Sequence, residues 1–181
     1  HFGPPYREKV GEAVLRLAPT LAPDVVVASG DFTQRAKDSQ FAEARAFLDK
    51  LPPLPTVVVP GNHDVPLYRI SERMLDPHGL YRKHISSELN RVWTVDGAVF
   101  VGLDSTAPHT AISNGRISEQ QLQFCAESFA NVDDGLAKIV VAHHHFAPAP
   151  DNERDRIMPQ AKRAMKRFVE MGVDMVLGGH L

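Results

Sequence analysis

The sequence has almost no cysteine. Cys125 stands alone among 181 residues, so an internal disulfide is excluded and nothing in the chain calls for an oxidising compartment. Long hydrophobic runs are missing too: none approaches the roughly 20 apolar residues that a membrane span needs, and no signal-peptide pattern is present. Excess charge is absent as well. Twenty Lys and Arg stand against 22 Asp and Glu, leaving a formal charge of −2. With a pI near 6.5, no global basic field exists to gather duplex nucleic acid or an anionic membrane surface. There are no repeats, no low-complexity tracts and no linker long enough to separate one domain from another. Residues 1–181 are therefore expected to form a single domain in a reduced, cytoplasmic setting.

What is present is an ordinary globular balance, 43% apolar and 23% charged, with one excess. There are nine histidines, and His143, His144 and His145 are consecutive. Helical spacing at Val10, Val14 and Leu17 predicts a first helix, closed by Pro19 and Pro23. Val25 to Ala28 reads as a buried strand that stops at Ser29-Gly30-Asp31. Phe41, Ala44, Leu48 and Leu51 mark a helix ended by Pro52-Pro53, and Thr56 to Val59 is a second strand that Pro60-Gly61 breaks.

Beyond it the pattern weakens to a helix around Tyr68 to Met74 and an unassigned polar segment to Asn90. Asp96-Gly97 between Val92–Val95 and Ala98–Leu103 is a hairpin signal. Ser118 with Gln121 forms a capping box, stapled by Ile117 and Leu122, ahead of the apolar face Leu122, Cys125 and Phe129. Lys138 to Ala142 is a strand running into the histidines, followed by a Pro-rich loop from Phe146 to Pro150. A last helix opens at Pro159, turns Ala161, Ala164, Met165 and Phe168 inward, and ends at Gly172. Val173 to Leu177 is the final strand. Strands alternating with helices, with one hairpin, imply an α/β class: a layered α/β sandwich with mixed β-sheets flanked by helices.

Four of the buried strands end in a side chain able to bind a cation: Asp31, Asn62, a histidine among His143 to His145, and His180. In α/β folds the loops at strand carboxyl ends meet in one crevice, so these residues are expected to converge there on a metal site. Carboxylate and amide oxygens mixed with imidazoles suit first-row divalent ions such as Mn, Fe or Zn. The stretch Asn62-His63-Asp64 adds a histidine able to move a proton and a carboxylate able to orient it. Each piece has a plainer reading: a lone Gly-Asp is usually a turn, and Gly-Asn-His-Asp can be an Asx-type turn. The plain readings weaken when all four strands end this way.

Taken in order, Gly30-Asp31, Gly61-Asn62-His63-Asp64, the cluster at His143 and Gly179-His180 resemble the motifs of the calcineurin-like metallophosphoesterase superfamily. His1 stands where the histidine of that family's opening Asp-x-His belongs. The resemblance covers the whole chain and implies a dinuclear phosphohydrolase holding two divalent ions. It makes Asp31 the carboxylate between the ions and puts His1 on the first. Asn62, His143 and His180 hold the second, with His144 the fallback for His143. It also implies that His63 contacts the phosphate and protonates the leaving oxygen, with Asp64 orienting it, while a hydroxide between the metals attacks.

The family pattern has an aspartate two residues before His1 and a histidine following Leu181. The chain as given is therefore expected to hold the second ion better than the first, to be weakly active or inactive, and to regain two-metal binding when extended at both ends. The histidine cluster with its Pro-rich loop, and Gly-Asn-His-Asp-Val-Pro, are most similar to the bacterial-type branch containing class III cyclic nucleotide phosphodiesterases. That implies a small phosphodiester or nucleotide substrate. Phe32-Thr33-Gln34-Arg35 after Gly-Asp departs from the protein phosphatases. A nucleotide pyrophosphatase, a nuclease and, in another class, a non-catalytic metal-binding scaffold are the alternatives. His145, like His144, is expected to be a surface or supporting residue, and His78, His84 and His109 to lie on the surface. Arg35 is expected to be solvated, Asp104-Ser105 to support the sheet or a loop, and Cys125 to sit in the core.

Overall fold

Strand and helix patterns alternate along the chain, and the folded protein keeps that order. The structure, a computed structural model, describes residues 1–110, 114–148 and 157–180. Among them lie α1 (Glu8–Leu21), β1 (Val26–Ala28), α2 (Asp38–Leu48), β2 (Thr56–Val58), a 3-10 turn (Asn62–Asp64), α3 (Ile70–Leu75) and α4 (Gly79–His84). The order continues with β3 (Arg91–Val95), β4 (Ala98–Leu103), α5 (Glu119–Phe129), β5 (Ala137–Ala142), α6 (Ala161–Glu170) and β6 (Met175–Leu177). The Pro-rich loop is described only as far as Pro148; Ala149 and Pro150 lie outside the described residues.

β1 and β2 form a parallel pair with Val26 opposite Thr56. The other sheet runs β3-β4-β5-β6 and is mixed, an antiparallel hairpin followed by parallel neighbours. The hairpin turns at Asp96-Gly97, where Gly97 has a left-handed φ of 77°. The fold is α/β, with a parallel pair and a mixed sheet between helices.

Apolar residues on both faces of the strands explain the layering, because each face must be covered. Val57 and Val59 pack on Phe100, Ile139 and Val141, joining the two sheets. The far side of β4 and β5 buries Val101, Leu103, Val140 and Ala142 under Leu122, Cys125 and Phe129 of α5 and Ala161, Ala164 and Phe168 of α6. On the outer side of the β1–β2 pair, Phe41, Ala44 and Leu48 of α2 meet Tyr81 of α4. The Ser118 cap on α5 is formed as expected: its hydroxyl accepts from Gln121 N–H, and Gln121 Oε1 accepts from Ser118 N–H at 2.9 Å.

Two elements differ from expectation. α1 continues through Pro19 to Leu21 and stops at Ala22, in the left-handed region, just before Pro23. Within the last turn Pro19 forfeits a single N–H bond, whereas Pro23 also restrains the residue before it. α4 fell in the unassigned segment. Its buried anchor is one residue, Tyr81, wholly enclosed beside Phe32 and Phe41, so no apolar period announced it.

Register then positions the strand ends. Leu103 opposite Ala142 sets Asp104-Ser105-Thr106 beside His143-His144. Val141 opposite Leu177 brings Gly179 and His180 to His143, whose carbonyl accepts both of their N–H groups at 2.9 Å.

Candidate metal centre

At the end of β1, Gly30 and Asp31 both adopt left-handed φ values, 93° and 57°, and turn the chain back over the end of β2. Gly30 suits this at no steric cost, and aspartate is among the few other residues that visit the region readily. A Cβ at Gly30 would lie 2.7 Å from His143 Nδ1 and 2.8 Å from Gly61 N. The close packing of these loops is what lets side chains from separate strands meet.

The Asp31 carboxylate lies between two groups of histidines. On one side His143 Nε2 is 3.0 Å from Asn62 Oδ1, 3.2 Å from His180 Nδ1 and 3.4 Å from Asp31 Oδ1. His180 Nδ1 is 3.1 Å from Asn62 Oδ1. On the other side His1 Nε2 is 3.0 Å from Asp31 Oδ2, and the His1 and His63 rings are 4.7 Å apart. Ligand atoms of His1, Asp31 and His63 lie within 4.8 Å of one another, as do those of His143, His144 and His180. The strand ends therefore bring together His1, Asp31, Asn62, His63, His143 and His180, the residues the motifs single out.

Hydrogen bonds to main-chain oxygens fix how these rings face. Ser29 O accepts from His143 Nδ1 at 2.8 Å, so the ring proton sits there and Nε2 presents a lone pair. Burial pushes the His143 pKa below the ordinary histidine value, against the pull of Asp31, and keeps the ring neutral. Around that lone pair stand an amide oxygen, a carboxylate oxygen and a second imidazole nitrogen. Electron-rich atoms crowding one point, with only His180 able to place a proton among them, fit a divalent cation, and the mixed N and O donors suit a first-row ion.

Asp64 does not orient His63. Its carboxylate is turned the other way: Oδ1 accepts from Thr33 N at 2.9 Å, and Oδ2 from Gly61 N at 2.9 Å and Phe32 N at 3.2 Å. The Thr33 hydroxyl lies 3.1 Å from Oδ1. Asp64 thus clasps the two metal-side loops together, and burial pushes its carboxyl up to about 7 in spite of those donors. The His63 ring is held instead by the Gln34 carbonyl, 3.0 Å from Nδ1.

Of the remaining histidines, His144 takes the supporting place rather than the surface one, and His78 is not on the surface. His144 is 2% exposed, with Nδ1 2.8 Å from Ser105 Oγ, and its backbone N–H donates to the same oxygen. His78 is 5% exposed rather than on the surface; its Nε2 meets Thr106 Oγ1 at 2.8 Å beside Asp104. His84 is half-buried against Asp38, and His109 is exposed. His145 is half-buried with its ring 5.5 Å from that of His180. Sequence reasoning passed over Ser29 and Gln34 as supports, and assigned Ser105 a supporting place without naming His144 as what it holds. The only local signal for Ser105 was that it ends a strand.

No helix among the described residues is long and apolar enough to cross a membrane. No curated protein gave a match. Among solved structures, the chain is similar to the crystal structure of TT1561 of Thermus thermophilus. The TM-score is 0.55 at 19% identity, covering 94% of this chain and 75% of that one, a likeness of fold. The family model for calcineurin-like phosphoesterases matches residues 1–181, the full length that carries the strand-end motifs. With that match over the whole sequence, the chain belongs to the calcineurin-like phosphoesterase family.

Proposed function

We propose that this chain hydrolyses a small phosphodiester at a centre holding two divalent first-row ions. One observation carries the reading. The Asp31 carboxylate gives one oxygen to the His1 side and the other to the His143 side, a placement that would let one residue serve two ions. Asn62, His143 and His180 would then hold one ion, and His1 would contribute to the other. Bound divalent ions lower the pKa of a coordinated water and neutralise charge on phosphate oxygens.

The chain's own residues supply orientation and proton transfer. The Gln34 carbonyl keeps a proton on His63 Nδ1, so Nε2 is the nitrogen that exchanges a proton with the ester. When the ring is doubly protonated, Nε2–H is the proton free to pass to the leaving oxygen. Asp31 Oδ1 accepts from His63 N–H at 2.9 Å, which ties this proton donor to the shared carboxylate.

A nucleotide-type substituent is the favoured substrate group. Tyr68, 74% exposed, lies four residues beyond Asp64 with the Arg35 guanidinium 5.5 Å over its ring, and Arg35 directly follows Gln34. An exposed aromatic face beside a cation is the kind of surface on which a base stacks.

The test is hydrolysis of bis(p-nitrophenyl) phosphate and p-nitrophenyl phosphate by the end-extended chain with added manganese, followed by a panel of cyclic nucleotides. Diester turnover that requires the metal is expected. His63→Ala should lower kcat by about 10²–10⁴-fold while the protein binds as much metal as before. Absence of metal-dependent turnover on every ester would refute the proposal, and undiminished turnover by His63→Ala would remove the role of His63.

A further inference from the structure

No motif picks out Gln34, yet it touches both histidines on the first-metal side. Its backbone carbonyl is 3.0 Å from His63 Nδ1, and its side-chain Oε1 is 2.8 Å from His1 Nδ1. Both oxygens can only accept, so each places a proton on the Nδ1 it meets. Both rings are thereby left with Nε2 as the variable nitrogen. For His1, Nε2 faces Asp31 Oδ2 at 3.0 Å, an acceptor that by itself would draw the proton to Nε2. With the opposite tautomer His1 would present a proton there and could not act as a ligand.

Gln34 is itself firmly placed. Its N–H donates to Phe2 O and Phe2 N–H donates to Phe32 O, both at 2.8 Å, so the segment carrying His1 is laced to the segment carrying Gln34. The Thr33 hydroxyl reaches His63 O at 2.9 Å and ties in the third segment.

We propose that Gln34 is the positioning residue of this centre: Oε1 sets the ligand tautomer of His1, and the backbone carbonyl sets the proton-transfer tautomer of His63. What the His1 lone pair is for rests on the metal reading above; the tautomers themselves do not. The two contacts differ in kind, which provides an internal control. Substitution removes the side-chain oxygen and leaves the carbonyl in place.

The experiment is long-range ¹H–¹⁵N correlation on the metal-free, histidine-labelled chain, comparing wild type, Gln34→Leu and Gln34→Glu. In the wild type His63 should be Nδ1–H, and His1, with an acceptor at each nitrogen, should carry a proton on Nδ1 whether or not Nε2 is also protonated toward Asp31. In Gln34→Leu the Asp31 carboxylate is the acceptor left at His1, which should pass to Nε2–H, while His63 stays unchanged, which also reports that the loop has kept its fold. Gln34→Glu should restore Nδ1–H at His1, because a carboxylate accepts in the same place. Zinc titration of the same proteins should show affinity on the His1 side falling about 10–100-fold in Gln34→Leu, with the His143 side unaltered.

Retention of the Nδ1 proton at His1 in Gln34→Leu, failure of Gln34→Glu to restore it, or a change at His63 would each overturn the proposal. A wild-type chain with the expected tautomers that binds no zinc would overturn the metal reading and leave the hold of Gln34 on the two rings in place.

Discussion

Gly61→Ala is the sharpest probe of how this centre is assembled. Gly61 has φ −110° and ψ 175°, extended backbone that any residue adopts, so its reason for being glycine is steric. A Cβ there would lie 2.2 Å from Asp31 Oδ1 and 2.4 Å from Asp31 N, where ordinary contact begins near 3.4 Å. Asp31 or the Gly61 loop must retreat by about 1 Å, and the displaced carboxylate loses its bond from His63 N–H. Overpacking costs about 1–3 kcal/mol. Loss of a hydrogen bond to a charged group adds about 1.5–3 kcal/mol. The variant should therefore be some 3–5 kcal/mol less stable, a large share of the roughly 5–15 kcal/mol of a typical domain. Urea denaturation measures the loss, and zinc titration should show weaker binding on both sides of Asp31, because both share its carboxylate. Gly97→Ala is the control. Its φ of 77° strains an alanine by about 1–2 kcal/mol. Nothing lies within 4 Å of the added methyl, so zinc affinity should not change. A Gly61→Ala variant within about 0.5 kcal/mol of wild type, binding zinc normally, would refute the steric argument.

Asp64→Asn should lower the melting temperature although it is isosteric: both carboxylate oxygens face backbone N–H donors, so an amide nitrogen in either place strands at least one. Each stranded buried donor costs about 1–3 kcal/mol, and an unchanged melting temperature would contradict the clasp. Zinc at about 100 times its dissociation constant should stabilise the chain by about 2.7 kcal/mol, reversed by a chelator. A urea midpoint indifferent to zinc would show that the donor set does not bind it. Burial pushes the His78 pKa below its ordinary value despite the neighbouring Asp104. Below about pH 6.5 the unfolded chain takes up a proton that the folded chain refuses, so stability should fall on acidification from that point. His78→Gln should flatten this stretch of the slope in urea midpoints measured from about pH 7.5 to 5.5, and an identical slope would exclude His78 as its source.

The centre was legible in the sequence because its side chains sit where apolar runs stop. Val25 to Ala28, Thr56 to Val59, Lys138 to Ala142 and Val173 to Leu177 each deliver a polar residue at a strand end, and parallel topology gathers such ends. What holds those side chains was not legible. His63 and Asp64 are adjacent, which invited their pairing, but successive residues of a 3-10 turn point about 120° apart. Asp64 reaches instead to Phe32 and Thr33, more than 30 positions earlier. Gln34 meets His63 and His1 across 29 and 33 residues, and His78 meets Thr106 across 28.

All these supports run between loops whose relative position follows from strand register. Val26 opposite Thr56 is what sets Gly30 against Gly61. A slip of one residue between β1 and β2 would leave every strand pattern apolar, because these strands are covered on both faces. It would nonetheless move Asp31 away from Asn62 by about 3.3 Å, the rise of one residue. Apolar patterning therefore tolerates the wrong register, and the close-packed glycines with the Asp64 clasp are what exclude it. The residues that specify the metal centre's geometry are in this sense different from those that would bind the metal: Gly30, Gly61 and Asp64 set the distance between loops, and the ligands occupy the space so defined.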